Sequence, residues 1–220
     1  MKAIAIGFFD LPPPGVPRWQ GGAVPAGCVF WDKAMRGQTF YTLPADHYNC
    51  AVGSHTHRIP LPPERAHELQ DTIAFMARSS YVATEEVPGI PTLAMTPGVV
   101  AYGPVEDAGF KADVVLIAAK PAQAMLIYEA ALKAGAGSAL TNALGRPACA
   151  VLSLTTGSRE TSISLGCKGN RTFTGLPDEE MYVAIPGDKW PSVAGKLAEA
   201  QEANEAMGSF YQGRKAQFSQ

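Results

Sequence analysis

The sequence predicts an α/β protein, with α+β as the alternative, in which helices pack on a mixed β-sheet and two pseudo-equivalent halves form one domain over residues 1–207. Three observations carry this expectation. Apolar runs of strand length alternate with runs of helical spacing along the chain. A strand–proline–helix unit occurs twice, as ADVVLIAA-Lys120-Pro121-AQAMLIYEAALKA and as EMYVAIPGDKW ahead of PSVAGKLAEAQEANEAM. A cysteine pattern also occurs twice. Cys28 opens a helical segment closed by Gly37, followed by a strand, Cys50 and Gly53; Cys149 opens one closed by Gly157, followed by a strand, Cys167 and Gly169. An internal duplication dividing near residues 110 and 111 accounts for that echo.

Taken in order, KAIAIGFF (2–9) alternates small and large apolar residues as a buried strand does, and LPPPGVPRWQGG is a surface loop. CVFWDKAMRG reads as a short helix and QTFYTL as a strand. In LPPERAHELQDTIAFMARS, Ala66, Leu69, Ile73 and Met76 recur at helical spacing behind a proline suited to the first turn. GVVAYGPV (98–105) and ADVVLIAA (112–119) are strands, and Gly135 stops the helix after the second. EMYVAIPGDKW ends as a strand at Pro186, with Asp188 placed to cap the final helix. Residues 208–220, polar and short of apolar periodicity, form a flexible tail.

Composition narrows the function classes. The chain has 220 residues, 46% hydrophobic and 17% charged, with a formal charge of −2 and no run of Lys and Arg. Nothing there attracts nucleic acid or an acidic membrane surface. Lys120 and Pro121 interrupt the most apolar stretch, so it does not read as a membrane span. MKAIAIGFFDLPPPG lacks a long apolar h-region and a small-residue cleavage site, so it reads as a strand and not a signal peptide. The expected compartment is the cytoplasm, where cysteines serve as free thiols, catalytic groups or metal ligands more often than as disulfides.

Four cysteines therefore become the centre of the functional reading. If the halves are related by a pseudo-twofold axis, Cys28, Cys50, Cys149 and Cys167 meet as a four-sulfur site. Soft thiolates in that number select zinc or an iron–sulfur cluster. Cys28 and Cys149 sit where helices begin, a setting that favours thiolate; Cys50 and Cys167 sit on turns beside glycines. The alternatives are a single reactive thiol and cysteines that only fill core space.

The run SLGCKGNRTFTGLPDEEMYVAIPG (164–187) resembles the distinctive motif of domain-of-unknown-function family 169, an uncharacterised prokaryotic family with a Gly-Cys-x-Gly-x-Arg turn, an acidic pair and a strand ending in Ile-Pro-Gly. AIGFF with its VPR loop, CVFWDKAMRGQTFY and ADVVLIAAKPAQAMLIYEAAL resemble it too, so the likeness covers nearly the whole chain. It implies a shared framework of the four cysteines and brings no activity with it. SHTH (54–57) departs from a stretch that is commonly apolar, which argues against His55 and His57 as family ligands.

Other residues have two readings each. Around Gly169 and Asn170 a backbone anion nest, with Arg171 adding charge, would anchor a phosphate or carboxylate; alternatively Arg171 pairs with Asp178, Glu179 or Glu180. His47 could orient or ligate beside Cys50, or face solvent. His55 and His57 share a face if their stretch is extended, which would allow a two-histidine metal site. His67 lies on an outer helix face. GAGSAL (135–140) follows a helix instead of a strand, so the dinucleotide-loop reading fails.

Three functions follow as expectations. The first is a cytoplasmic iron–sulfur protein, held by the four cysteines, in electron transfer or redox chemistry with a redox partner protein or a small-molecule ligand. The second is a structural zinc site in a ligand-binding protein. The third is a thiol enzyme using Cys28 or Cys149 with His47 as base.

Overall fold

The structure is a computed structural model describing residues 2–138 and 142–217. Residues 139–140 of the GAGSAL run, and residues 218–220 of the tail, lie outside the described residues. In chain order the elements are β1 (Lys2–Phe9), α1 (Cys28–Met35), β2 (Phe40–Thr42), α2 (Ala51–Thr56), α3 (His67–Arg78), β3 (Val99–Pro104), β4 (Val114–Ala119), α4 (Pro121–Lys133), β5 (Asn142–Leu144), α5 (Ala150–Ser158), β6 (Ser162–Ser164), α6 (Lys168–Thr174), β7 (Met181–Pro186) and α7 (Trp190–Ala216). The strands form one mixed sheet in the order β2-β3-β1-β4-β7-β6-β5, antiparallel except for the β5–β6 pair. The expected α/β class with a mixed sheet is what the chain adopts.

Period-two alternation sorts the strand residues onto two faces. Ile4, Ile6, Val100, Tyr102, Val114, Leu116, Tyr182 and Ala184 join Phe30, Trp31 and Leu152 of α1 and α5 in one core. Val115, Ile117, Val183 and Ile185 face the other way and are covered by α4 and α7. Pro121 sits in the first turn of α4, where its missing N–H costs nothing, and Gly135 closes that helix at φ +65°. Gly187 after β7 is needed for closeness, since a Cβ there would lie 2.0 Å from the Ala112 carbonyl oxygen.

The two halves repeat one pairing register. Ala5 faces Val115 in the antiparallel β1–β4 pair. On one side Ile4 faces Pro104 and Phe9 faces Val99; on the other Val114 faces Pro186 and Ala119 faces Met181. Further out, Phe40–Thr42 pairs with Tyr102–Val100 and Ser162–Ser164 pairs with Ala184–Tyr182. Thus β1, β2 and β3 correspond to β4, β6 and β7, strand by strand and residue by residue, about an axis between Ala5 and Val115. The helices exchange partners across this axis: α1 packs on α6, and α5 packs on α2.

Three local expectations differ from the structure. Asp188 does not cap α7, because its carboxylate accepts from Arg159 instead, and Lys189 takes the cap position without a side-chain bond. The polar C-terminal stretch continues α7 as helix to Ala216, although residues 201–217 are exposed throughout. Ala203, Glu205 and Ala206 favour helix where the stretch begins, but Gly208, Ser209 and Gly213 do not, so propensity does not explain the extension. The residues around His55 are helical and not extended, as taken up below.

Candidate functional site

All four cysteines line one cavity of about 290 Å³ on the face carrying α1 and α5. Each half supplies two of them in the same manner. Cys28 is the first residue of α1, and Cys149 is the N-cap of α5. Cys50 and Cys167 are the N-caps of α2 and α6, with extended backbone, and their sulfurs act as the capping acceptors. Gly53 N–H donates to Cys50 Sγ at 3.3 Å, and Asn170 N–H donates to Cys167 Sγ at 3.4 Å. Because α1 meets α6 and α5 meets α2, cysteines from the two halves line the same cavity.

Burial sets the acidity of these thiols. It pushes Cys28 up to about 12, partly offset by a hydrogen bond from the Asn170 side chain and reinforced by Cys50 and Cys167. Burial also raises Cys50, against the lowering contact with Gly53 N–H, and raises Cys149 well above the usual thiol value, with Cys50 adding to it. Thr56 Oγ1 lies 3.3 Å from Cys149 Sγ and 2.9 Å from the Gly53 carbonyl oxygen. One hydroxyl hydrogen cannot serve both; it turns to the sulfur when that sulfur is a thiolate and to the carbonyl when it is a thiol. All four cysteines are free of disulfides, and among the described residues no three His, Cys, Asp or Glu side chains lie close enough together to hold a single metal ion.

At Cys28 and Cys149 burial works against the thiolate that a thiol enzyme calls for. A helix N-terminus was expected to favour thiolate at Cys28 and Cys149, yet desolvation outweighs it at both positions. His47 is buried, contrary to a solvent-facing turn. Thr42 Oγ1 donates to the Val100 carbonyl oxygen at 3.1 Å, so His47 Nε2–H is the donor in their 2.8 Å bond. Its Nδ1 lies against Gly27, where an added Cβ would be only 3.0 Å away. Burial, with His57 and Arg18 nearby, lowers His47 to about 3. It is a neutral residue that ties β2 to the first half's core.

The fold bears on the anion-nest reading of Gly169, Asn170 and Arg171 through the arginine. These residues belong to the first turn of α6, and Gly169 and Asn170 line the cysteine cavity. Arg171 spends its guanidinium on the carbonyl oxygens of Leu165 at 2.6 Å, Glu180 at 2.9 Å and Leu176 at 3.4 Å, and on that of Pro177. Asp178 lies 3.8 Å away. The arginine stitches the chain around α6 and has no face left for a ligand.

The extended stretch assumed for the two-histidine site is helical instead. His55 is the exposed penultimate residue of α2 and His57 its buried C-cap, and both line the cavity. His57 is 2% exposed and leaves at least one ring nitrogen without a hydrogen-bond partner. Burial lowers it to about 4, with the Cys149 backbone acting in the opposite direction. His67 is exposed, 4.0 Å from Asp71. Sequence reasoning missed His57 and Thr56 as neighbours of the sulfurs, since only the α2–α5 packing brings residue 56 to residue 149. The Leu69, Ile73 and Met76 stripe showed only its helical spacing in the sequence; in the fold these residues line the cavity, and no residue of α3 is buried.

No helix among the described residues is long and apolar enough to cross a membrane. Neither the curated proteins nor the solved structures include a match to this chain. The sequence profile of the uncharacterised ArCR family, domain of unknown function 169, matches residues 2–195, which is all of the seven-stranded sheet and all four cysteines, and the chain belongs to that family.

Proposed function

We propose that the protein holds an iron–sulfur cluster through Cys28, Cys50, Cys149 and Cys167 and serves in electron transfer or redox chemistry, and that its halves arose by duplication. The observation that carries this reading is the convergence of two equivalent cysteine pairs on one cavity. Four soft sulfurs with no hard oxygen ligand among them suit iron–sulfur or zinc. Zinc bonded at about 2.3 Å to four thiolates draws the sulfurs to roughly 3.8 Å apart by tetrahedral geometry. In a four-iron cluster each iron takes one thiolate, so the four sulfurs stand farther apart than they do around one zinc.

The surroundings suit an anionic group. The N-termini of α1 and α5 present their positive ends, and the amides of Gly53 and Asn170 already donate to sulfur. Amide donors and burial are among the levers that set a cluster's potential. When bound, the cluster supplies one-electron transfer; the chain supplies four thiolates, two N–H···S bonds and an apolar wall. Because Cys28, Cys50 and Cys149 are held protonated, loading displaces protons and tightens as pH rises.

The test is anaerobic purification followed by iron, acid-labile sulfide and zinc analysis with a visible spectrum. Brown protein with iron and sulfide in equal amounts, and loss of both in Cys→Ser variants from either half, is the expected result. Colourless protein with one equivalent of zinc replaces this reading by the structural zinc site. Metal-free protein in which one cysteine alkylates far faster than the others replaces it by a thiol enzyme.

A further inference from the structure

We propose that the same cavity takes a second occupant: a neutral small molecule, apolar over most of its surface and bearing one carbonyl or hydroxyl. Leu69, Ile73 and Met76 form one face of α3, a stripe that ordinarily packs into a core. Here they line the cavity with Phe173 of α6, so an apolar chamber stands against the cysteine end. Among the described lining residues Arg146 alone carries a permanent charge, and that charge is already matched. Its guanidinium lies over the Tyr81 ring at 5.2 Å and pairs with Glu86 at 3.4 Å, so the chamber selects against a carboxylate. The polar group of the ligand is called for by His57, a buried imidazole whose one close polar neighbour is the Cys149 backbone, so that at least one of its two ring nitrogens is left without a partner. The proposal goes beyond the cluster reading and stands without it.

Acetophenone, benzoate and ethylbenzene are suitable probes, titrated into the full chain as purified anaerobically and followed by saturation-transfer NMR and calorimetry. Saturable binding of acetophenone is expected, at least tenfold tighter than benzoate, and lost in Ile73→Trp. His57→Phe should weaken acetophenone about tenfold and leave ethylbenzene unchanged. If that variant does not fold, wild-type preference for acetophenone over ethylbenzene carries the polar contact. No saturable binding by wild type, equal binding of benzoate, or binding retained in Ile73→Trp overturns the chamber. Iron and sulfide measured on the same samples separate the two ideas: iron without acetophenone binding sinks the chamber alone, and binding without iron sinks the cluster alone.

Discussion

Raising the pH of metal-free, reduced protein should unfold it in a way that Cys28 controls. Cys28 is 9% exposed, and burial pushes its thiol from an ordinary 9.0 to about 12, ahead of the Asn170 contact that lowers it and the neighbouring thiols that raise it. A folded-state pKa above the unfolded one means the native protein binds more protons between the two values. Its contribution is therefore intact below pH 9 and is lost as pH rises toward 12. At about 1.4 kcal/mol per pH unit the full loss is about 4 kcal/mol, a large part of a typical stability of 5–15 kcal/mol. Urea unfolding at pH 8, 9, 10 and 11 measures it, with Cys28→Ala run in parallel. Buried Tyr102, raised by burial and by Cys28, acts in the same direction but is common to both proteins. Measured from its value at pH 8, the difference between the two curves should change by about 2–3 kcal/mol by pH 11, with the wild type losing the more. Parallel curves across that range would refute a protonated, desolvated Cys28.

Four shorter predictions test other parts of the molecule. Arg171→Leu strips donors from the chain around α6 and should cost about 3 kcal/mol or more, read as a melting shift of several degrees, while added phosphate shifts the wild type no more than chloride does. Gly187→Ala, with its Cβ at 2.0 Å from the Ala112 carbonyl oxygen, should destabilise by at least about 2 kcal/mol in urea unfolding. Leu152→Ala in the core beneath the cysteines should cost about 2–5 kcal/mol by the same assay. Thr56→Val removes the hydroxyl beside Cys149, and in cluster-loaded protein should lower the midpoint potential by about 20–60 mV, the one-electron equivalent of one hydrogen bond.

The sheet was legible wherever burial imposed a pattern. KAIAIGFF, VVAYGP, VVLIAA and MYVAIP are two-face buried strands, and their apolar runs leave no other place for them. The cysteine echo was legible too, because Cys28 and Cys149 open helices and Cys50 and Cys167 cap helices at corresponding points. What the sequence hid were facts of tertiary contact. Arg171 has acidic neighbours in sequence, yet carbonyl oxygens from Leu165 to Glu180 surround it in space. His55 and His57 read as a period-two pair only until α2 forms. The stripe on α3 has the same spacing whether it meets side chains or a cavity, so periodicity could not tell core from chamber.

The pseudo-twofold register gives a last physical argument about the sulfurs. A twofold relation makes the pairs Cys28/Cys149 and Cys50/Cys167 equivalent in backbone position, but it does not make their neighbours equivalent. Cys50 and Cys167 each receive an amide three residues on, so those two should behave alike. Cys28 meets the Asn170 side chain, whereas Cys149 meets Thr56, a hydroxyl with a competing carbonyl. Serine substitution should therefore give equal losses of iron and sulfide at Cys50 and Cys167 and unequal losses at Cys28 and Cys149. The opposite ranking, with the capping pair unequal and the helix-opening pair alike, would mean that the axis between Ala5 and Val115 organises the sheet but not the sulfurs.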